Sequence, residues 1–564
     1  MLKFITKTVY MALVTALCVG LNVSVMASPC YTGLLTVQGT ISATTTWSID
    51  YHATGTITIP SGVVLTIRST VKFEEGVSII VQSGGSLVLE GTLTAACPDK
   101  LWEGVVITNN SPTLSSGKVS LRSNAMIEHA LCAISVTQSV NQMTAQGAIQ
   151  ADGAVFLNNL QAIEYKNTAS SPGIMRFTKC TFTIDDNNRF TINGKTFQYH
   201  VTLLGGRGTI FEGCDFNNKA NVNPTGTGIY SIDSDLRVIN YCSGTIPGVD
   251  CICPDYYIPK PTVFKNLAAG IYSENTGTPR TIHIDQSEFE NLWTGVYMGG
   301  ETGYRLTRCN FYNTLYGLHS INSSNYRIEE NGFWGYGFGI WMENSGIANN
   351  RIYKNYFSGC RHGIDVVGIN GTDSPIQGLQ FTCNYFINNM YDIFIWDDAT
   401  VCPHQGSLLQ GADNVFTSTS YNSIYSYSSQ TITYFHSPSN NHDPYNPQGN
   451  VIVNNNAKEN KCLSTFCLPS GKEEEDFSPK NIAVESQTAD MQEGVYIYPN
   501  PANASVTIHA KDFAKVEVYN TIGQLIAVRN VATFDISSYN SGIYFFKIYD
   551  TDNNVVTKRV MVVK

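Results

Sequence analysis

Aromatic, acidic and histidine side chains recur at one position of a short repeat in the middle of the chain. That position comes eight residues after a phenylalanine, and in six successive units it holds Tyr272, Tyr297, His319, Trp341, Asp365 and Phe394. Two residues further along are Glu274, Glu343 and Trp396. Aromatic rings can stack on sugar faces, while carboxylates bind hydroxyl groups. The two sets therefore predict a carbohydrate-binding surface whose ligand contacts are their five tyrosine, tryptophan and phenylalanine rings.

The carboxylates of the same sets support a catalytic alternative. Glycoside hydrolysis uses two carboxyl groups about 5 to 9.5 Å apart, and Glu343 and Asp365 lie in neighbouring units, where they could meet that spacing. His319, one unit further away, could assist proton transfer. Aromatic residues are also favoured on exposed sheet faces for packing alone. Binding, catalysis and packing are therefore three open interpretations of this surface.

The elements that must position these side chains form a repeat that aligns on phenylalanines. Five of the six units carry Gly six residues after the Phe, all six carry an aliphatic residue seven after it, and Asn or Gly comes two after it. The spacings between successive units are 25, 22, 22, 24 and 29 residues, within the range of solenoid repeats. The aligned residues are Phe264, Phe289, Phe311, Phe333, Phe357 and Phe386.

Each unit alternates apolar and polar residues in short runs rich in Ile, Val, Tyr and Phe, which is typical of strands. Asn and Gly tolerate the left-handed backbone conformation that a sharp bend between strands requires. The arrangement resembles the right-handed parallel β-helix, or pectate-lyase-like fold, in which each coil hydrogen-bonds to the next about 4.8 Å along the axis. The resemblance implies an internal ladder of Phe rings and an all-β solenoid.

In strands, alternate side chains face opposite sides. If the aliphatic residue of each unit points inward, the residue after it points outward, so stacked coils would align the Tyr272 to Phe394 set in one column. Polysaccharide lyases of this fold usually add calcium-binding acids and a Lys or Arg base, which this column lacks. The enzyme question therefore stays open, and we expect no cofactor.

The cysteines favour disulfides and buried thiols over a metal site. Of fifteen cysteines, Cys18 lies in the predicted signal peptide, which leaves an even number. We expect Cys462 to pair with Cys467, and a further pairing among Cys242, Cys251 and Cys253. The Cys251-Ile252-Cys253 motif lacks the second ligand pair of a zinc site. Inward thiols are expected two residues before the Phe of a coil, at Cys180, Cys214 and Cys309.

The last seventy residues carry motifs of a known export label. Tyr498-Pro499-Asn500-Pro501 opens this segment, Val516 to Gly523 marks its middle, and Gly542 to Ile548 leads to the basic end Lys558 to Lys564. These motifs, in this order and spacing, resemble the type A C-terminal sorting domain of the type IX secretion system. The resemblance implies passage through the translocon, removal of the domain by a sortase-like peptidase, and attachment to lipopolysaccharide or release.

The sequence thus predicts four segments. Residues 1–27 have the basic start, apolar run and small-residue exit of a signal peptide. Residues 28–468 form the parallel β-helix with an N-terminal cap, residues 469–495 an acidic flexible linker, and residues 496–564 a small immunoglobulin-like β-sandwich. The expected location is extracellular, either secreted or anchored to the outer-membrane surface.

Net charge argues against a nucleic-acid partner. The signal peptide removes two of the 35 basic residues and none of the 45 acidic residues, so the mature charge is 33 − 45 = −12. Nucleic-acid binding needs clustered Lys and Arg.

Overall fold

The computed structural model describes most of the chain in two compact units, residues 1–469 and 470–564. The described residues are 30, 33–109, 115–138, 148–167, 175–190, 194–220, 225–242, 260–277, 279–417, 420–438, 440–464, 496–498, 502, 504–510, 512–520, 525–540, 542–551 and 555–562. The predicted signal peptide and the linker at 469–495 lie outside them.

The first unit is a solenoid in which each complete coil contributes three strands, and strands of successive coils pair in parallel. The first strands of the coils carry the Phe residues of the ladder from Phe156 onward. They are β5 (Thr70–Phe73), β8 (Thr92–Ala95), β11 (Met126–Glu128), β14 (Val155–Leu157), β17 (Thr181–Ile184), β20 (Asp215–Asn218), β23 (Thr262–Lys265), β26 (Ser287–Glu290), β29 (Asn310–Tyr312), β32 (Gly332–Trp334), β35 (Tyr356–Ser358), β38 (Tyr385–Ile387) and β42 (Val415–Phe416).

The second strands carry the candidate functional column. They are β6 (Ser78–Val81), β9 (Gly104–Asn109), β12 (Ile134–Gln138), β15 (Ile163–Asn167), β18 (Tyr199–Leu204), β21 (Thr227–Ile232), β24 (Ala269–Glu274), β27 (Thr294–Gly299), β30 (Tyr316–Ile321), β33 (Phe338–Glu343), β36 (His362–Val367), β39 (Tyr391–Ile395) and β43 (Asn422–Ser426). With β1 (Leu35–Thr40) and β3 (Tyr51–Ile59), the first and second strands form a 28-stranded sheet.

The third strands form a separate 13-stranded sheet, here called the third sheet. They are β2 (Thr45–Trp47), β4 (Val64–Ile67), β7 (Ser86–Leu89), β10 (Lys118–Leu121), β13 (Ile149–Asp152), β16 (Met175–Thr178), β19 (Thr209–Glu212), β22 (Leu236–Ile239), β25 (Ile282–Asp285), β28 (Arg305–Thr307), β31 (Arg327–Glu329), β34 (Arg351–Tyr353) and β37 (Gln380–Thr382). A four-stranded sheet follows at the C-terminal end of the solenoid. It contains β40 (His404–Ser407), β41 (Gln410–Gly411), β44 (Ile432–Phe435) and β45 (Val451–Asn454), with a 3-10 helix at Asn440–His442.

The predicted Phe ladder is confirmed, and it is longer than the six aligned units. Ten buried rings stack along the axis with centroid separations of 4.5–5.5 Å. They belong to Phe156, Phe182, Phe216, Phe264, Phe289, Phe311, Phe333, Phe357, Phe386 and Phe416. The Asn residues at the corners have the predicted left-handed conformation, as Asn266, Asn291 and Asn313 show with φ of 57°, 56° and 52°.

The repeated Gly is required by the ring of the next coil. A Cβ on Gly295 would lie 2.6 Å from the Phe311 ring and 2.6 Å from the carbonyl oxygen of Gly317. Gly317 has the same relation to Phe333, with 2.5 Å to the ring. The Phe and Gly signals are therefore two parts of one packing contact between neighbouring coils.

A ladder of buried asparagines accompanies the last four rings, two residues before each Phe. The Asn355 side-chain oxygen accepts from both the backbone N–H and the side-chain amide of Asn331, at 3.0 Å each. Asn384 receives the same pair from Asn355, and Asn414 receives it from Asn384. The Tyr434 hydroxyl accepts from the backbone N–H of Asn414 at 3.0 Å and ends the ladder.

The predicted inward thiols occupy the same ladder position in earlier coils. Cys180, Cys214 and Cys309 are free and buried, and the backbone N–H of Cys309 donates to the Asn331 side chain at 2.9 Å. Their burial confirms a packing role.

The predicted Cys462–Cys467 disulfide is wrong. Cys462 is bonded to Cys383, with 5.5 Å between the two Cα atoms, because the chain before residue 464 returns along the coils instead of closing a local loop. A second disulfide joins Cys30 to Cys97. Cys242 is also disulfide-bonded, and its predicted partners Cys251 and Cys253 lie outside the described residues.

The second unit is a small sandwich of two antiparallel sheets. One contains β46 (Tyr496–Tyr498), β47 (Ser505–His509) and β50 (Thr533–Asp535). The other contains β48 (Phe513–Asn520), β49 (Leu525–Arg529), β51 (Gly542–Asp550) and β52 (Val555–Val562). Residues of both sheets share one apolar core, for example Val506 with Val518 and Phe546. The all-β prediction is confirmed for both units.

We expect Gly295→Ala to destabilise the solenoid by about 1–3 kcal/mol, the usual cost of an added methyl group in a packed core. Gly277→Ala is the matched control, because a Cβ there meets nothing within 4 Å. Urea unfolding of the full chain would measure both. Equal stability of the two variants would show that the Phe–Gly contact does not restrict this position.

Candidate functional site

The predicted column exists, and its members lie side by side on successive second strands. Tyr272 pairs in register with Tyr297, which pairs with His319. The same register continues from His319 to Trp341, Asp365 and Phe394. Because the strands are parallel and in register, neighbouring members are separated by one coil, about 4.8 Å.

In the N-terminal part of the column, tyrosine rings stack on one another. Centroid separations are 5.3 Å between Tyr230 and Tyr272 and 4.3 Å between Tyr272 and Tyr297. The Tyr272 hydroxyl donates to Glu274 at 3.1 Å, and burial raises the pKa of Tyr272 above its usual range. The ring faces therefore pack against each other, which leaves mainly ring edges and hydroxyls for a ligand.

The rings turn at the C-terminal end of the column. The Trp341 ring lies at 89° to Tyr316 and 90° to Phe338, so it is perpendicular to rings that otherwise stack along the axis. Burial lowers the pKa of His319 to about 4, so this imidazole is neutral at neutral pH. Its Nε2 atom has no hydrogen-bond partner among the described residues.

Asp365 lies on the outward side of its strand, yet it is fully covered. Its Oδ1 atom accepts from the Trp396 indole N–H at 2.8 Å and lies 2.7 Å from Nδ1 of His362. Its Oδ2 atom is buried without a partner among the described residues. Burial raises the pKa of this carboxyl group, against the opposing effect of His362 and Trp396. The column is therefore covered at this position, because Trp396 folds back over Asp365.

Trp396 also joins the aromatic cluster around Asp365. Its ring centroid is 4.9 Å from that of Phe394 and 6.1 Å from that of Trp341. Phe394 itself is only 6% exposed, while Trp396 is 37% exposed and Tyr427 is 56% exposed. We call the outward side of β30, β33, β36, β39 and β43, with the residues directly after these strands, the aromatic face.

Negative charge borders the aromatic face. Glu343 is half-buried, and Asp397 and Asp398 are exposed directly after Trp396. The nine second strands from β18 to β43 contain no Lys or Arg. The basic side chain that approaches the face is Arg361, whose guanidinium group lies 5.7 Å from the Phe338 centroid. Uncharged ligands therefore suit this face better than uronate chains.

Several members of the cluster were missed by sequence reasoning. Tyr316, Phe338, His362 and Tyr391 form a second outward column, three residues before the predicted one. They were missed because the repeated Gly, six residues after the Phe, lies between the two columns and interrupts strict alternation. The five-residue offset from each Phe could have identified them. Tyr425 and Tyr427 belong to a later coil outside the six aligned units.

The described residues contain one group with metal-ligand geometry. Cys30, Glu74 and Cys97 bring three potential ligand atoms within 4.8 Å of one another, but the two cysteines are joined in a disulfide. In the described part of the chain, no helix has the length and apolar character needed to cross a membrane.

Two family models match separate parts of the chain. Residues 496–563 match the secretion system C-terminal sorting domain, and residues 258–405 match the right-handed β-helix region. The chain carries a type IX secretion sorting domain and a right-handed β-helix. The sorting domain implies handling by the type IX machinery and secretion of this β-helix protein across the outer membrane.

Comparisons with curated proteins and with solved structures show no further family for the chain. No curated protein matches the chain. Among solved structures, the chain is similar to the catalytic domain of a GH87 α-1,3-glucanase variant in complex with nigerose, with 12% identity and a TM-score of 0.19. The match covers 57% of this chain and 61% of that one, so the secreted β-helix protein spans less than two thirds of it.

We expect Trp396→Phe to destabilise the solenoid by about 1–3 kcal/mol, because it removes a donor to a buried carboxylate and keeps an aromatic ring. Since the folded-state pKa of Asp365 is raised, its stabilising effect is fully present below the usual aspartate pKa and is lost as the pH rises through the raised value. The indole N–H of Trp396 opposes the raised pKa because it favours the ionised carboxylate. The stability lost in Trp396→Phe should therefore grow as the pH rises over that window and Asp365 ionises.

Urea unfolding at a series of pH values would measure this difference. Trp334→Phe is the control, because Trp334 stacks on Tyr312 at 5.0 Å on the first strands, away from Asp365. A Trp396→Phe deficit that stays constant with pH would contradict the assignment.

Proposed function

We propose that this secreted β-helix protein binds an uncharged glycan chain along the aromatic face of its C-terminal coils. The observation that best supports this proposal is the cluster of Trp341, Trp396 and Tyr427. It presents large, partly exposed rings above a buried polar network. The coil spacing of about 4.8 Å is close to the advance per residue of an extended polysaccharide. A glycan running parallel to the axis would therefore meet equivalent positions of successive coils.

The ligand contacts differ along the column. Trp341, Trp396 and Tyr427 would contact sugar rings, and Glu343 would accept hydrogen bonds from hydroxyl groups. Tyr272 and Tyr297 would contribute edges and hydroxyls, because their faces are stacked together. Phe394 would support the neighbouring rings from below, since it is almost fully buried.

Catalysis is the second candidate function, and one observation favours it: burial keeps the pKa of Asp365 raised, as a general acid requires. Asp365 has no exposed surface, however, so it could reach a glycosidic oxygen only after Trp396 moved away. Glu343 would be its carboxylate partner, and His319 is neutral and could accept a proton. The burial of Asp365 beneath Trp396 supports glycan binding better than glycan hydrolysis.

Binding to a panel of neutral polysaccharides, measured by affinity electrophoresis, tests the proposal. We expect Trp341→Ala and Tyr427→Ala each to weaken binding about tenfold, as loss of an aromatic stacking contact would. Tyr385→Ala is the matched control, because Tyr385 is as exposed as Trp396, at 37%, and lies on the first strands. Equal binding by all four proteins would reject the aromatic face as the site.

The same mixtures should be assayed for new reducing ends and unsaturated products, and none are expected. Products that disappear in Glu343→Gln or Asp365→Asn would establish the catalytic function instead.

We also propose that the mature protein stays at the outer-membrane surface, coupled to lipopolysaccharide after a sortase-like peptidase cuts within residues 469–495. The sorting-domain match supports this proposal. Mass spectrometry of the surface form should show that residues 496–564 are missing. A surface form that retains Lys564 would contradict the cleavage.

A further inference from the structure

Two cysteines lie in adjacent coils at the same inward position. Thr181 pairs in register with Asp215, so the residues before them, Cys180 and Cys214, are direct neighbours along the axis. Both thiols are free and have no exposed surface. The hydrogen bond between them lowers the pKa of the Cys180 thiol, whereas burial raises the pKa of the Cys214 thiol. The two thiols therefore lie side by side in a dry interior.

The third cysteine of this inward column has no thiol beside it. Cys309 has Ser287 and Asn331 as its neighbours in the coils on either side. Of the three inward cysteines, Cys180 and Cys214 are therefore the two that could react with each other. Cys309 shares their position and burial and serves as an internal control.

The spacing of the pair meets the main requirement of a disulfide. Disulfide-linked cysteines have Cα atoms about 4.4–6.8 Å apart, and neighbouring coils are about 4.8 Å apart. Loss of the thiol protons costs little, because S–H is a weak donor. Cys180 Sγ donates to the Thr178 carbonyl at 3.4 Å, and this carbonyl also accepts from the backbone N–H of Gly153 at 2.8 Å. It therefore keeps a partner when Cys180 is oxidised.

The cysteine pair lies where the coils are longest. The spacing is 34 residues from Phe182 to Phe216 and 48 residues from Phe216 to Phe264, whereas the later units have 22 to 29. Longer loops cost more conformational entropy to close, so the chain itself holds these coils in register less tightly. The asparagine ladder starts at Asn331 and does not reach them.

We propose that Cys180 and Cys214 form a disulfide that links their two coils when the protein folds in an oxidising compartment. A protein secreted across the outer membrane first enters the periplasm, where disulfides form and persist. The cross-link would pin the register of the longest coils, as the asparagine ladder does for the last ones. It adds a covalent restraint to the packing role of the two side chains.

The reaction needs an external disulfide, either that of a protein oxidase or oxidised glutathione. The Cys180 thiolate attacks one of its sulfur atoms, so that a mixed disulfide forms and one thiolate leaves. The Cys214 thiolate then attacks the Cys180 sulfur and releases the second thiolate. Two protein thiols are oxidised, and the external disulfide is reduced to two thiols, which take up the two protons.

Burial determines when the cross-link forms. Both thiols are covered in the folded solenoid, so an external disulfide must reach them before the two coils close. The finished bond is then shielded from external thiols in the same way.

Peptide mapping of the full-length protein, purified from an oxidising periplasm, tests the proposal. The protein is unfolded with an alkylating reagent and without reductant, then digested and analysed by mass spectrometry. We expect the Cys180 peptide joined to the Cys214 peptide, lighter by two hydrogen atoms than their sum, and an alkylated Cys309. The Cys383–Cys462 disulfide shows in the same sample that oxidation has taken place.

Urea unfolding gives an independent readout. Cys214→Ala should lower the unfolding midpoint by about 1 M more than Cys309→Ala does, because it removes the cross-link as well as packing. Alanine suits this column, since Ala154 is the neighbour of Cys180 in the preceding coil. With reductant present during unfolding, the difference between the two variants should disappear.

Alkylation of both Cys180 and Cys214 in protein whose Cys383–Cys462 disulfide is intact would overturn the proposal. A link from either residue to a different cysteine would do the same.

Discussion

The parallel, in-register pairing of successive coils is the constraint on which the rest of the structure depends. It places each side chain directly above its counterpart, so one repeated residue becomes a continuous column. The Phe ladder shows the effect inside, where ten rings stack at 4.5–5.5 Å. The close fit of Gly295 against Phe311 shows how little freedom the neighbouring position has.

The same constraint gives different sides of the solenoid different chemistry. A residue type repeated on the second strands builds the aromatic face, and one repeated on the third strands aligns the basic side chains from Arg237 to Arg351. Trp341 and Arg305 lie two coils apart on different strands, and each is aligned with its own set. A solenoid can therefore carry two independent linear surfaces without any change in its core.

The sequence predicted the features that repeat and failed at those that depend on a single side chain. Phe, Gly and the corner Asn recur at fixed offsets, so the coils, the inward thiols and the column of Tyr272 to Phe394 followed from spacing alone. The burial of Asp365 could not be predicted, because it results from Trp396 turning back toward the preceding coil. The Cys383–Cys462 disulfide was missed because it depends on the path of an irregular segment.

The asparagine ladder has a consequence for how the coils find their alignment. A shift of one residue between neighbouring coils would move Asn331, Asn355 or Asn384 away from its partner and leave amide groups unsatisfied in a dry interior. Phenylalanine stacking tolerates small offsets, whereas these paired amide contacts do not. The ladder therefore destabilises misaligned forms of the last coils, which hydrophobic burial alone would not distinguish from the native alignment.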